Sequence, residues 1–422
     1  MATPLEPFYQ LKCSCNSYPW GKKGSNSLAA TLCAKTPGWT RDGPSKVFKI
    51  DEDTPYAEMW MGTYPDMPSY VISTGEDLQA VLDRYPKQLI GDKVTYKFGN
   101  TLLPFLPKVL SIAKALPLQI HPNKDFASKM HKENPDDFTD PNHKPEIALA
   151  LGEFEAFCGF KPLDDVARLL KLEPLQHLAE TGTAASGKFT DEDLRKVVQK
   201  ILEADDKVIR RTYKDLMALP ESSFTDSSAN AHIPALAPRL ADQFSEADPG
   251  VLVGLLTMNY LKLQAGDAVY IPADGIHAYI SGDIIECMAR SNNVLNTGLC
   301  PKAERSNAKQ FCDLLTFKPH DAQQCMLPAR EYERSEKKMT KLYKPPLSEF
   351  NVLQTELKAG ENEVLGKGGA GILIATKGGA KVDCGEKSFD LREGHIYFVA
   401  QGVRMDITAS DKGLLMHTAY VD

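Results

Sequence analysis

The chain has 422 residues, 42% of them hydrophobic and 25% charged, with a formal net charge of −7. That length predicts two or three domains, and the composition is ordinary for a soluble globular protein. A net negative chain without a basic stripe argues against nucleic acid as a partner, and no run approaches the roughly 18 apolar residues that a membrane span needs.

The start, MATPLEPFYQLKC, lacks the charged and apolar regions of a secretory signal. Nine cysteines are scattered without a C-x-x-C pair. Cys13 and Cys15 are expected to be lone surface thiols, and a reduced, cytoplasmic, monomeric protein is expected.

Up to about residue 155 the chain alternates turn residues with short apolar runs, and SYVIS, VLSIA and EIALAL read as strands. After CGFKPLDD the period changes. DDVARLLKL has helical spacing, and Leu194, Val197, Val198, Ile201 and Leu202 recur at i, i+3, i+4, i+7 and i+8 behind Thr190, a candidate N-cap. Residues 161–262 therefore read as a helical insertion. Residues 1–160 and 263–335 form one β unit, and 336–422 a second. AVYIPADGIH (268–277) overlays HIYFVAQGVR (395–404) without a gap, which suggests two related β-barrels in a mainly β chain. His277 meets Arg404 at the end of that overlay, so the second copy cannot repeat what His277 does.

Three strands carry polar pairs at i, i+2, which places each pair on one face. They are Gln119 with His121, Lys144 with Glu146, and His277 with Tyr279. Ala148 and Ala150 follow Glu146 on its face and leave room above it. Ser281-Gly282 reads as a hairpin turn, and that register sets Glu286 opposite His277, with Ile284, Met288 and Arg290 on the same face. Two His, one Glu and one Gln make a reasonable ligand set for a borderline divalent metal. Spacing alone leaves the ordinary alternative of hydrogen-bonded core histidines open. His131 and His143 are rival ligands, or else surface residues.

At these residues the sequence resembles the type I phosphomannose isomerases. The resemblance runs through YPWG, PYAEMWMGTYP, LPFLPKVLSI, LQIHP, NHKPEIALAL, FEAFCGFKPL and GIHAYISGDIIECMA, over nearly the whole chain. It implies two cupin-type (jelly-roll) barrels with a helical domain, the first barrel bearing the metal. It also implies one Zn2+ held by Gln119, His121, Glu146 and His277. The implied reaction interconverts mannose 6-phosphate and fructose 6-phosphate through a cis-enediol and feeds GDP-mannose synthesis. Glu286 is the candidate base, and Lys144 the candidate stabiliser of the enediolate. Lys108, Tyr279, Arg290, Lys302 and Trp20 are candidates to bind the sugar phosphate, and Glu58 matches a position near the family's pocket. The chain departs from the family's pattern where Asn296 replaces an arginine, Asn292 an aspartate and Pro117 a serine. Arg290 could compensate if it shares the face of Glu286. The departures leave open a paralogue acting on another sugar, or a metal-bound sugar sensor without turnover.

Overall fold

A computed structural model describes residues 2–37, 48–179 and 188–422. Two ten-stranded sheets account for most of the strands, and every described strand pair in them is antiparallel. The first sheet runs Met258–Leu263, Phe154–Phe160, His277–Ala289, Phe105–Ile112, Glu58–Trp60, Ser14–Asn16; Glu146–Ala150, Ala268–Ile271, Leu118–Ile120 and Leu295–Gly298 join it off that path. The second is built mainly from Thr340–Tyr343 onward. It also recruits Phe8–Lys12, Tyr70–Val71 and Arg330–Glu331 from the region expected to form the first unit.

The stretch from His277 to Ala289 is one continuous 13-residue strand. The hairpin expected at Ser281-Gly282 does not form. The reason is tertiary: this strand crosses the sheet and is paired along its length by Phe154–Phe160, Phe105–Ile112 and Glu146–Ala150, and at His277 by Gln119. What the Ser-Gly pair makes instead is a bulge. Ser281 opposes Glu155 while Tyr279 opposes the adjacent Ala156, so an extra residue is taken up between them. Gly282 adopts φ 126°, and a Cβ there would lie 2.6 Å from the Glu153 carbonyl oxygen.

That extra residue inverts the alternation. Ahead of the bulge Tyr279 packs in the lining of the sheet's inner face, while Ala278 and Ile280 pack outward. Beyond it Ile284 belongs to the lining, and Ile285 and Cys287 pack outward against the second sheet. His277, Tyr279, Glu286 and Met288 therefore share one face despite their mixed parity.

The helical stretch begins at Leu163–Leu169 and ends at Pro249–Thr257, and the strand Met258–Leu263 follows it. Thr190 caps Asp191–Glu203 in a capping box with Asp193. Leu194, Val197, Val198 and Ile201 on that helix are buried in one core with Leu118, Ile120, Ala278, Ile280 and Leu295. Burial of such side chains stabilises by roughly 1.5–3 kcal/mol each. The helices thus back the strands that carry Gln119 and His277. On the other side Met59, Val109, Ile147 and Leu149 pack on Ile372, Ile374, Phe398 and Ala419 of the second sheet. The inner core of the second sheet is mostly apolar, with Leu353, Leu373, Met405 and Ile407 beside a buried cluster of Ser335, Thr340, Thr355 and Glu363, and Arg404 pairs with Glu336 at the surface.

Cys13 is buried at 3% exposure and Cys15 is half-buried, so neither is a surface thiol. Cys15 lies on the strand Ser14–Asn16, which pairs with Glu58–Trp60, and Cys13 just ahead of it packs in the core between the two sheets, beside Ser69. Among the described residues no helix is long and apolar enough to cross a membrane.

Candidate metal centre and active site

Gln119 faces inward because its neighbours Leu118 and Ile120 are drawn into the helical core. It lies directly opposite His277 in the ladder. Glu146 faces inward for the same reason, since Ile147 and Leu149 pack against the second sheet. The sheet thereby brings His121, Glu146 and His277 together, with one ligand atom of each within 4.8 Å of the others.

The hydrogen bonds define what those atoms offer. His121 Nδ1 lies 2.9 Å from the carbonyl oxygen of Asn293, and His277 Nδ1 lies 3.0 Å from that of Gly275. A carbonyl can only accept, so Nδ1 carries the proton in both rings and each Nε2 presents a lone pair. Both Nε2 atoms are buried and have no hydrogen-bond partner among the described residues. They face the two oxygens of Glu146 at 3.4 Å and 3.3 Å. Lone pairs aimed at carboxylate oxygens in a buried site repel unless a cation lies between them. The spacing suits that cation, because a tetrahedron with bonds of about 2.0–2.1 Å has edges of about 3.3 Å. Burial pushes the His121 imidazole down to about 4, with Lys144 adding to the effect, so the ring is neutral as a ligand must be. Tyr279 donates to Glu146 Oε1 at 2.6 Å and fixes the carboxylate, which commits its proton but leaves its oxygen able to accept.

A second constellation adjoins the first. Glu286 does not lie opposite His277 as the hairpin register required. It pairs with Lys108 on one side and Ala148 on the other, one step along the ladder from Glu146. Lys108 Nζ is 3.2 Å from Glu286, 3.6 Å from Glu58, and 4.6 Å from the centre of the Trp60 ring. Burial opposes the charge on Lys108, but Glu58, Glu286 and Glu146 outweigh it and hold the ammonium above its ordinary value. Burial pushes Glu286 up to about 7 against the pull of Lys108. Lys144 is drawn down, first by burial and then by the charge of Lys108.

The remaining candidates divide. Trp20 is partly buried against the inner lining and stacks on Tyr18 at 5.8 Å. Arg290 donates to Thr63 Oγ1 at 3.0 Å and to the Thr63 carbonyl at 2.9 Å, and lies over the Tyr64 ring. It lines a cavity of about 590 Å³ together with Tyr64, Lys124, Asn142 and Glu349. Lys302 is not brought to the centre; it forms an exposed ion pair with Asp206 at 2.6 Å. His131 and His143 are occupied elsewhere, by the Phe138 carbonyl and Glu349. Trp60 escaped notice in the sequence, although Glu58 and Trp60 form an i, i+2 pair like the others, and Trp60 Nε1 donates to Glu58 at 2.6 Å. The Asn293 carbonyl that orients His121 is a backbone group and leaves no trace in the sequence.

Known proteins share this arrangement of chain and fold. Residues 8–163 match the profile of the phosphomannose isomerase type I catalytic domain, and 341–387 that of the type I C-terminal region. The chain is 35% identical to mannose-6-phosphate isomerase of Candida albicans over 99% of both chains. It is 35% identical to that of Saccharomyces cerevisiae over 98% of both. Mannose 6-phosphate isomerase from Salmonella typhimurium, solved with fructose 6-phosphate and zinc, has the same fold, with a TM-score of 0.80 at 22% identity over 99% of this chain and 100% of that one. With relatives of that identity along its full length, this chain belongs to the type I phosphomannose isomerase family.

Proposed function

We propose that the chain is a zinc-dependent aldose–ketose isomerase that interconverts mannose 6-phosphate and fructose 6-phosphate through a cis-enediol, supplying GDP-mannose synthesis. The reading rests above all on two imidazole lone pairs aimed at one carboxylate beside the buried Lys108–Glu286 pair.

Zinc held by Gln119, His121, Glu146 and His277 would act as a Lewis acid toward the sugar carbonyl. Gln119 joins the set because it shares the inner face with His277. Glu286 takes the proton from C2 of the aldose and returns it to C1 while the O2 hydroxyl proton passes to O1, work suited to a carboxyl that titrates near neutrality. Lys108 keeps part of the Glu286 population ionised. Lys144 stabilises the developing enediolate oxygen by donating from an ammonium whose hold on its proton is already weakened. Trp20 packs against the sugar, and Arg290 takes the phosphate with the N–H groups that Thr63 leaves free. All four metal ligands come from one chain, which suits a monomer built as two cupin-type barrels and a helical domain. Nine free cysteines suit the cytoplasm.

Turnover of mannose 6-phosphate should vanish with a chelator and return with zinc, and His277→Ala should lose both zinc and activity. Activity that survives chelation, or H277A protein that keeps both, would overturn the proposal. Asn296, a neutral residue at the family's arginine position, favours a second reading of binding without turnover. Calorimetric binding of the sugar with no interconversion would establish that instead.

A further inference from the structure

Four adjacent strands carry a straight row of residues across the inner face. Asn296 opposes Gln119, Gln119 opposes His277, and His277 opposes Cys158. Neighbouring strands lie about 4.8 Å apart, so Asn296 stands roughly one strand spacing beyond Gln119. Its inward direction follows from Leu295, which packs outward in the helical core. The backbone of Asn296 is fixed on both sides by Ser306, whose Oγ accepts from its N–H at 3.2 Å and whose N–H donates to its carbonyl at 2.6 Å. The side chain is held by nothing comparable: Asn296 Oδ1 is buried and has no hydrogen-bond partner among the described residues.

We infer that Asn296 is a specificity-determining residue that accepts a hydrogen bond from a hydroxyl of the sugar. This rests on the isomerase reading above. An amide oxygen can be satisfied only by a donor. A phosphate dianion offers none, whereas a sugar hydroxyl does. With the carbonyl end of a hexose among Gln119, His121 and His277, Asn296 stands about one strand spacing away, within reach of a hydroxyl on the next carbons. The residue therefore reads the carbinol part of the substrate, C3 or C4, and leaves the phosphate to other groups. A substrate lacking that hydroxyl would leave the buried acceptor unpaired.

The test uses the zinc-loaded full chain with N296A, N296L and N296D, titrated with fructose 6-phosphate, its 3-deoxy and 4-deoxy analogues, and inorganic phosphate. N296A and N296L should bind fructose 6-phosphate about tenfold more weakly. One deoxy analogue should bind wild type and both variants alike, and inorganic phosphate should not distinguish them. N296D, which keeps an acceptor, should retain most of the affinity. If one removal variant fails to fold, as judged by zinc content and melting temperature, the other decides. Unchanged affinity for fructose 6-phosphate, or a loss confined to inorganic phosphate, would overturn the assignment. Wild-type protein that neither binds fructose 6-phosphate nor turns over mannose 6-phosphate would instead overturn the isomerase reading.

Discussion

Replacing Lys108 with methionine removes the cation that stands between two buried carboxylates and keeps the aliphatic stem. Lys108 Nζ and Glu286 Oε2 are 3.2 Å apart with both side chains 6% exposed, so solvent screens them little. At an effective dielectric of about 20 that separation corresponds to about 5 kcal/mol of attraction. Lys108 divides its charge with Glu58 at 3.6 Å. Water and any bound divalent ion would recover part of the loss, so about 1.4 kcal/mol, a tenfold change in the ionisation equilibrium, should remain. The direction is fixed by charge: without the ammonium the ionised form of Glu286 is less favourable, and its pKa rises from about 7. The base works only when ionised, so activity falls as pH drops through that pKa, and K108M should move the acid limb of kcat/KM to higher pH. A divalent cation held by His121, Glu146 and His277 would favour the ionised carboxylate and move that limb lower in both proteins. The assay is a pH profile of mannose 6-phosphate turnover on both proteins at matched zinc content. An acid limb that stays where it was would show that Glu286 is not the base.

Glu286→Gln should lower kcat by about 10²–10⁴-fold and retain zinc, because in the proposed mechanism the carboxylate moves a proton and is not part of the ligand set; metal analysis beside single-turnover kinetics checks both halves. Arg290→Ala should raise KM for mannose 6-phosphate about tenfold or more with kcat nearly unchanged. An unaltered KM would confine Arg290 to holding the Thr63 loop. Gly282→Ala forces a Cβ to within 2.6 Å of the Glu153 carbonyl at φ 126°. The backbone strain alone should destabilise by about 1–3 kcal/mol, read as a lower melting temperature together with weaker zinc binding. An unchanged melting temperature would mean that the bulge relaxes without cost.

Much of the centre was legible in the sequence because period-two alternation is a local property. Gln119 and His121, Glu146 with its following alanines, and His277 with Tyr279 each announce a polar face on an apolar strand, and the structure gathers those faces. The cap at Thr190 and the helix behind it were likewise readable from spacing within a dozen residues. The fate of Ser281-Gly282 was not, since the same dipeptide serves as a turn or as a bulge according to what flanks it. Partners more than a hundred residues away in the chain made it a bulge. That choice, in turn, put Glu286 on the inner face by a different route from the one the hairpin implied. Lys302 and Arg290 carry the same charge, yet one was taken by Asp206 at the surface and the other by Thr63 beside a cavity. The amino-acid order thus determined which side chains could serve as ligands. Which of the charged groups meet, and how far their pKa values move, was decided by tertiary packing, because burial and Coulomb attraction depend on distances that only the folded chain establishes.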